Sequence, residues 1–126
     1  PEPPVGISVP QAMYDDFVEI SEPIQKIRPD YPFEVKVREP RKRPTRMGGT
    51  DASVFAIEGV PTLGFTTEDF KGYDFDYGEI WHTERDLYTK NIPEYQEHTA
   101  TVTAIIALGV ANLDKQLSRE GLYTEE

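Results

Sequence analysis

Residues 91–117 read NIPEYQEHTATVTAIIALGVANLDKQL, and this stretch decides the fold. Asn91 and Glu94 have the spacing of a capping box, and Pro93 suits a first helical turn. Apolar or small residues then recur at helical spacing, at Val102, Ile105, Ile106, Gly109, Val110, Leu113 and Leu117. The pattern predicts a core helix from about Pro93 to Leu117 that packs closely against a sheet.

Two short segments are predicted to supply strands of that sheet. Residues 33–38 (FEVKVR) alternate apolar and charged side chains, which is typical of an edge strand with one buried face. Residues 62–66 (TLGFT) follow Pro61, and Gly64 within them suggests that another backbone or a ligand approaches closely. We therefore expect an α/β fold in which two or three strands pack against helices.

The N-terminal part is predicted to begin with a helix. Ser8 and Gln11 have capping-box spacing, which favours a helix over residues 8–21. Pro23 then predicts either a break or a restart from Ser21, with a short helical piece that ends before Pro29.

Composition limits the classes of function. The chain has 126 residues, 37% of them hydrophobic, which suits one domain, and its formal net charge of −10 disfavours nucleic-acid binding. It has no cysteine, so His, Asp and Glu are the available strong metal ligands. We expect no membrane span, and we expect that any export signal has been removed or never existed.

Two loops could bind partners. The basic loop, residues 40–46 (PRKRPTR), is predicted to be exposed, and it is either a solvated charge run or a site for a carboxylate or an acidic partner. The aromatic segment from Thr67 to Ile80 predicts either a lid or pocket wall, or a compact loop that buries its own rings.

The two histidines lie in different sequence contexts. His82 follows Trp81 in the turn-rich segment 78–86, and it is either a metal ligand or an ordinary surface histidine. His98 falls within the core helix, four residues after Glu94, and is predicted to be solvent-exposed or helix-capping.

A second informative stretch, residues 48–62, reads GGTDASVFAIEGVPT. Asp51 or Thr50 is predicted to cap a short helix, and Gly59 stands where a helix-terminating glycine belongs. Together with the aromatic loop, Trp81-His82-Thr83 and the long helix, this stretch resembles the C-terminal part of the co-catalytic zinc exopeptidases, the bacterial leucyl-type aminopeptidases and glutamate carboxypeptidases. The resemblance covers nearly the whole chain from about Ser8.

The resemblance implies part of a mixed-sheet exopeptidase fold that cleaves terminal peptide bonds. It implies that His82 is a zinc ligand and that Gly49, Asp51 and Trp81 border a pocket for a peptide substrate. It also suggests a secreted or periplasmic protein.

The family takes its other zinc ligands and its general-base glutamate from motifs upstream of those present here. The chain therefore looks like a C-terminal fragment, inactive alone, that associates with the remainder of the catalytic domain or with itself. It departs from many relatives in having Trp81 where they have tyrosine and Ala52 where they have histidine. The alternative is a non-catalytic interaction domain whose basic and aromatic loops bind a protein partner.

Overall fold

The computed structural model describes residues 2–73 and 77–124, and it shows a mixed α/β arrangement with a long C-terminal helix. The strands in these ranges are β1 (Pro4–Val9), β2 (Glu34–Val37) and β3 (Phe65–Thr67). The α-helices there are α1 (Tyr14–Ile27), α2 (Ala52–Ile57), α3 (Tyr77–Ile80) and α4 (Pro93–Ala111). The prediction of an α/β fold with few strands and a long C-terminal helix is confirmed.

The three strands form one mixed sheet in the order β2-β1-β3. β1 runs parallel to β2 and antiparallel to β3, so that Ile7 pairs with Val35 on one side and Phe65 on the other. The predicted edge position of β2 is confirmed, but the strand spans Glu34–Val37 rather than residues 33–38, and the predicted buried face is wrong, since Val35 is half-buried and Val37 is 43% exposed. The third strand begins at Phe65 rather than Thr62, because only residues from Phe65 onward pair with β1.

Gly64 precedes β3, and no heavy atom beyond its chain neighbours lies within 4 Å of where its Cβ would be. Among the described residues, the predicted close approach of another backbone to Gly64 is therefore wrong.

The central strand β1 contradicts the predicted N-terminal helix start. Ser8 lies within β1, so it caps no helix. Ile7 and Val9 are 2% and 0% exposed, and pairing with strands on both sides outweighs the local capping-box pattern. α1 begins only at Tyr14, after a 3-10 turn at Gln11–Met13 in which the Met13 N–H donates to the Pro10 carbonyl.

α1 also continues through Pro23, where a break or restart was expected. Proline deprives the Glu19 carbonyl of its helical donor, but Glu19 is exposed and water can reach it. Phe17 and Ile24, on either side of this turn, are both fully buried. Their packing holds the two halves of the helix together.

α4 is shorter than predicted, ending at Ala111 instead of Leu117. Asn91 does not cap it; the preceding position is Ile92, with no side-chain cap bond, and Pro93 occupies the first turn. Gly109 packs against Ile20 of α1, and a Cβ at Gly109 would clash with that side chain. The closest approach at Gly109 is therefore made with α1, while α4 also packs on β1 of the sheet.

The core lies between α1, α4 and the sheet. Its buried residues are Ile7, Val9, Met13, Phe17, Ile24, Val102, Ile106 and Leu122. None of the helices within the described ranges is long and apolar enough to cross a membrane.

Candidate functional site

The segment around His82 is a tight turn that follows α3. The Trp81 N–H donates to the Tyr77 carbonyl, and the Thr83 hydroxyl lies 2.9 Å from the carbonyl oxygens of both Glu79 and Ile80. The same hydroxyl oxygen accepts the Arg85 N–H at 3.2 Å. Thr83 thus closes the last turn of α3 and orders the backbone just after His82.

The His82 backbone is in the left-handed region, with φ of 52°, and no other non-glycine residue in the described ranges has a positive φ. Only glycine enters this region without a steric cost, and such strained residues cluster at functional sites. The imidazole is exposed and stacks on the Trp81 indole with ring centroids 4.2 Å apart. The side chain is therefore held at the surface and open to solvent.

The acidic residues near His82 do not complete a metal site. Glu79 pairs with Lys90 at 3.6 Å, and Glu84 and Asp86 are exposed. Within residues 2–73 and 77–124, no group of three His, Asp or Glu side chains is arranged to hold a metal ion. A zinc site needs about three protein ligands, so the described residues supply one candidate ligand and not a site.

The Gly48–Ser53 turn leads into α2. Asp51 precedes the helix but makes no side-chain cap bond, so the predicted capping role of Asp51 is wrong; the Ser53 hydroxyl donates to the Thr50 carbonyl at 2.8 Å. Gly49 and Asp51 are exposed, and Gly49 has open space where a Cβ would be. At the other end of α2, Gly59 has φ of 74°, as expected for a terminating glycine.

Among the described residues, no hydrogen bond, ion pair or ring contact joins Gly49 or Asp51 to Trp81 or His82. The structure therefore places these four residues on exposed turns without showing direct contact between the two turns. Phe75 of the aromatic segment lies outside the described residues.

His98 is completely buried, which overturns the prediction that it is solvent-exposed or helix-capping. Its ring stacks on Tyr31 at 4.0 Å with an interplanar angle of 14°, and its Nε2 lies 3.2 Å from the Pro4 carbonyl oxygen. Because a carbonyl only accepts, Nε2 carries the proton, while Nδ1 is buried without a partner. Burial lowers the pKa of His98, so the ring is neutral and structural.

A network centred on Lys71 was missed from the sequence. The Lys71 ammonium pairs with Asp30 at 3.1 Å and also with Glu94, whose other carboxylate oxygen accepts the Tyr73 hydroxyl at 3.0 Å. The backbone N–H of Lys71 donates to the Tyr95 hydroxyl, which in turn donates to the Asp69 carboxylate. These contacts attach residues 69–73 to the first turn of α4.

Electrostatics support the pairing in this network. The hydrogen bond from Lys71 lowers the pKa of Glu94 to about 2, and Glu94 and then Asp30 raise the pKa of Lys71. Burial raises the pKa of Tyr95 to about 12. No local sequence pattern indicates this network, because its members come from three separate parts of the chain.

A scan against protein-family models and searches of curated proteins and of solved structures find no match to this chain.

Proposed function

We propose that this chain is a C-terminal part of a zinc-dependent exopeptidase, an aminopeptidase or a carboxypeptidase, and that His82 is one of its zinc ligands. The left-handed, exposed backbone at His82 carries the proposal. The His82 side chain contributes little to the core, so packing does not explain its strained backbone. A binding role for this side chain would explain the strain. The resemblance of residues 48–62 and Trp81-His82-Thr83 to this family supports the same assignment.

The pocket residues follow from the same resemblance. Gly49, Asp51 and Trp81 are exposed, so a peptide substrate can reach all three. The Trp81 indole is 54% exposed and offers a flat apolar surface with one N–H donor. We assign these residues to substrate binding and His82 to zinc.

The remaining ligands and the general base come, in this proposal, from the remainder of the catalytic domain. Exposed apolar side chains suit such an interface: Leu108 of α4 is 64% exposed and Phe55 of α2 is 57% exposed. The isolated chain is therefore expected to be inactive and to associate with that remainder or with itself.

Zinc titration by calorimetry, combined with assays on leucyl and glutamyl peptides, tests the proposal. One histidine should bind zinc with a Kd above about 1 µM and give no turnover, and His82→Ala should remove even this weak binding. Zinc binding that is unchanged in His82→Ala would show that His82 is the wrong ligand. Sub-micromolar zinc binding with turnover would show that the chain is not an incomplete part.

The coding sequence upstream of residue 1 gives an independent test. The proposal expects a His-x-Asp motif and a Glu-Glu pair there. In a longer protein that contains them, His82→Ala should strongly reduce zinc content and activity. A longer reading frame without these motifs would contradict the proposal.

A non-catalytic interaction domain is the second candidate, and the exposure of Tyr88 favours it. This side chain is 90% exposed and lies near Leu87, which is 57% exposed. Aromatic residues on a surface are typical anchors of protein interfaces. Peptide binding that depends on Tyr88 and not on zinc would favour this candidate over the first.

A further inference from the structure

Four arginines lie within or beside the turn formed by residues 119–124 at the end of the described chain: Arg38, Arg41, Arg43 and Arg119. Arg43 and Arg119 line an open cleft of about 870 Å³ together with Gly59 and Tyr123. Arg41 pairs with Tyr123 through a parallel backbone bridge, and its carbonyl accepts the Thr124 N–H at 2.9 Å. The basic loop and the C-terminal turn therefore form two adjoining walls of one cleft.

The guanidinium groups of Arg43 and Arg119 converge above Gly59. Their Nη1 atoms lie 3.5 and 3.7 Å from the point that a Cβ on Gly59 would occupy. Gly59 has no side chain to fill this space, and its φ of 74° disfavours any residue that would. The two guanidinium groups therefore lie close together over Gly59, which is itself buried.

These arginines have no acidic partner in the described part of the chain. The ion pairs there involve Lys26, Arg28, Lys36, Lys71, Lys90 and Lys115 as the cations. Glu120 also lines the cleft but forms none of these pairs. In a protein with a net charge of −10, four neighbouring arginines without carboxylate partners leave a local positive surface.

The positive charge extends behind the cleft wall. Nε and Nη2 of Arg38 and the hydroxyl of Tyr123 are buried and make no hydrogen bond. Burial and the nearby charge of Arg41 lower the pKa of Arg38, and Tyr123 acts in the opposite direction. Arg38 does not line the cleft, but unbalanced charge is costly to bury, and an anion bound in the neighbouring cleft would offset part of that cost electrostatically.

We propose that this cleft binds an acidic peptide segment, with Arg43 and Arg119 pairing to its carboxylates. Planar guanidinium groups match carboxylates in bidentate fashion, and the cleft also presents the apolar surfaces of Ile57, Pro44 and Tyr123 to the peptide. A nucleic acid is disfavoured, because the remaining surface is strongly acidic. The site lies at the C-terminal end of α2, whereas Gly49 and Asp51 precede its N-terminal end.

Calorimetry with the capped peptide acetyl-Glu-Glu-Glu-Glu-amide tests the proposal at low ionic strength and again at about 0.15 M salt. The peptide should bind the unmodified chain, and the double variant Arg43→Gln/Arg119→Gln should bind it at least about tenfold more weakly. The matched control Arg46→Gln/Arg85→Gln removes the same charge from exposed positions outside the cleft and should change the Kd less than about twofold. Acetyl-Gln-Gln-Gln-Gln-amide should not bind.

Amide NMR shifts and a second anion complete the test. The glutamate peptide should shift the amide signals of Gly59 and Thr124, and the melting temperature of the double variant should stay close to that of the control. Absence of peptide binding, or equal weakening in both double variants, would overturn the proposal. Inorganic phosphate that binds as tightly as the peptide would show a small-anion site and would overturn the assignment to an acidic peptide.

Discussion

The two histidines differ in almost every respect. His98 is fully buried, stacks on Tyr31 and bonds the Pro4 carbonyl, so that it links α4 to the N-terminal strand. His82 is exposed, has a positive φ and contacts its sequence neighbour Trp81. The difference teaches that a histidine within a periodic helix, such as His98, can be a core residue. His82, by contrast, is not part of the core and lies on a strained turn.

The largest expected effect comes from replacing each histidine by alanine. His98→Ala removes a buried ring and its bond to Pro4, and should lower the free energy of unfolding by about 3 kcal/mol. His82→Ala removes only exposed contacts and should change it by less than about 0.5 kcal/mol. Urea denaturation of both variants measures this, and equal losses would mean that the two environments do not differ in energy.

The pH dependence of stability sharpens the comparison. His98 binds a proton near its ordinary pKa of 6.5 when unfolded, and burial lowers that pKa in the folded state. The unfolded state therefore takes up more protons below pH 6.5, and the free energy of unfolding should fall as the pH falls from there toward about 5. Arg28 also lowers the pKa of His98, while the Pro4 carbonyl and Asp30 oppose the shift.

Substitution of each histidine in turn shows which one causes the pH dependence of the free energy of unfolding. His98→Phe keeps a stacked ring but cannot titrate, so the loss of stability between pH 6.5 and about 5 should disappear. His82→Ala should retain it. Glu94 contributes in a separate window, because its pKa is lowered from 4.5 to about 2 and its contribution is lost only as the pH falls below 4.5.

The next largest effect on stability is expected from the strained backbone of His82. Glycine occupies the left-handed region without a clash, so His82→Gly should be more stable than His82→Ala by about 0.5–1 kcal/mol. The control is Gln96, an exposed residue within α4, where glycine should instead be less stable than alanine by about 1 kcal/mol. If the alanine variant is the more stable one at both positions, the backbone of His82 is not strained.

The smallest effect is expected from the Lys71 network that borders His98. Lys71→Met removes a lysine shared by two carboxylates and should lower the melting temperature, more so at low salt than at high salt. Lys26→Met removes an exposed pair with Glu22 within α1 and serves as the control. Equal shifts in the two variants would show that the network adds nothing beyond an ordinary surface pair.

The sequence predicts elements whose signal is local. The period-two alternation indicates β2, the periodic apolar run indicates α4, and Gly59 indicates the end of α2; all three are observed. The local sequence pattern gives a wrong prediction where contacts between distant residues determine the structure. Ser8 has the local pattern of a helix cap but lies in a strand, because β2 and β3 pair on either side of β1 and Ser8 itself pairs with Lys36.

The histidines follow the same rule. A helix position four residues after Glu94 suggests a surface location for His98, but residues far away in sequence, among them Tyr31 and Pro4, contact the buried ring. His82 was singled out because its segment is turn-rich and polar, and its exposure agrees with that. The turns at Asp51 and His82 were expected to share a pocket, and the described contacts do not join them.

The position of β1 between two later strands has a consequence for synthesis on the ribosome. Within this chain β1 precedes both of its partners, so one of its edges stays open until Val37 has been added and the other until Thr67 has been added. The Pro4 carbonyl oxygen gains its hydrogen bond from His98 only after 94 more residues have been added. An apolar strand with an unpaired edge is prone to pair with other chains, so the interval before Thr67 is added is when association between nascent chains is most favoured.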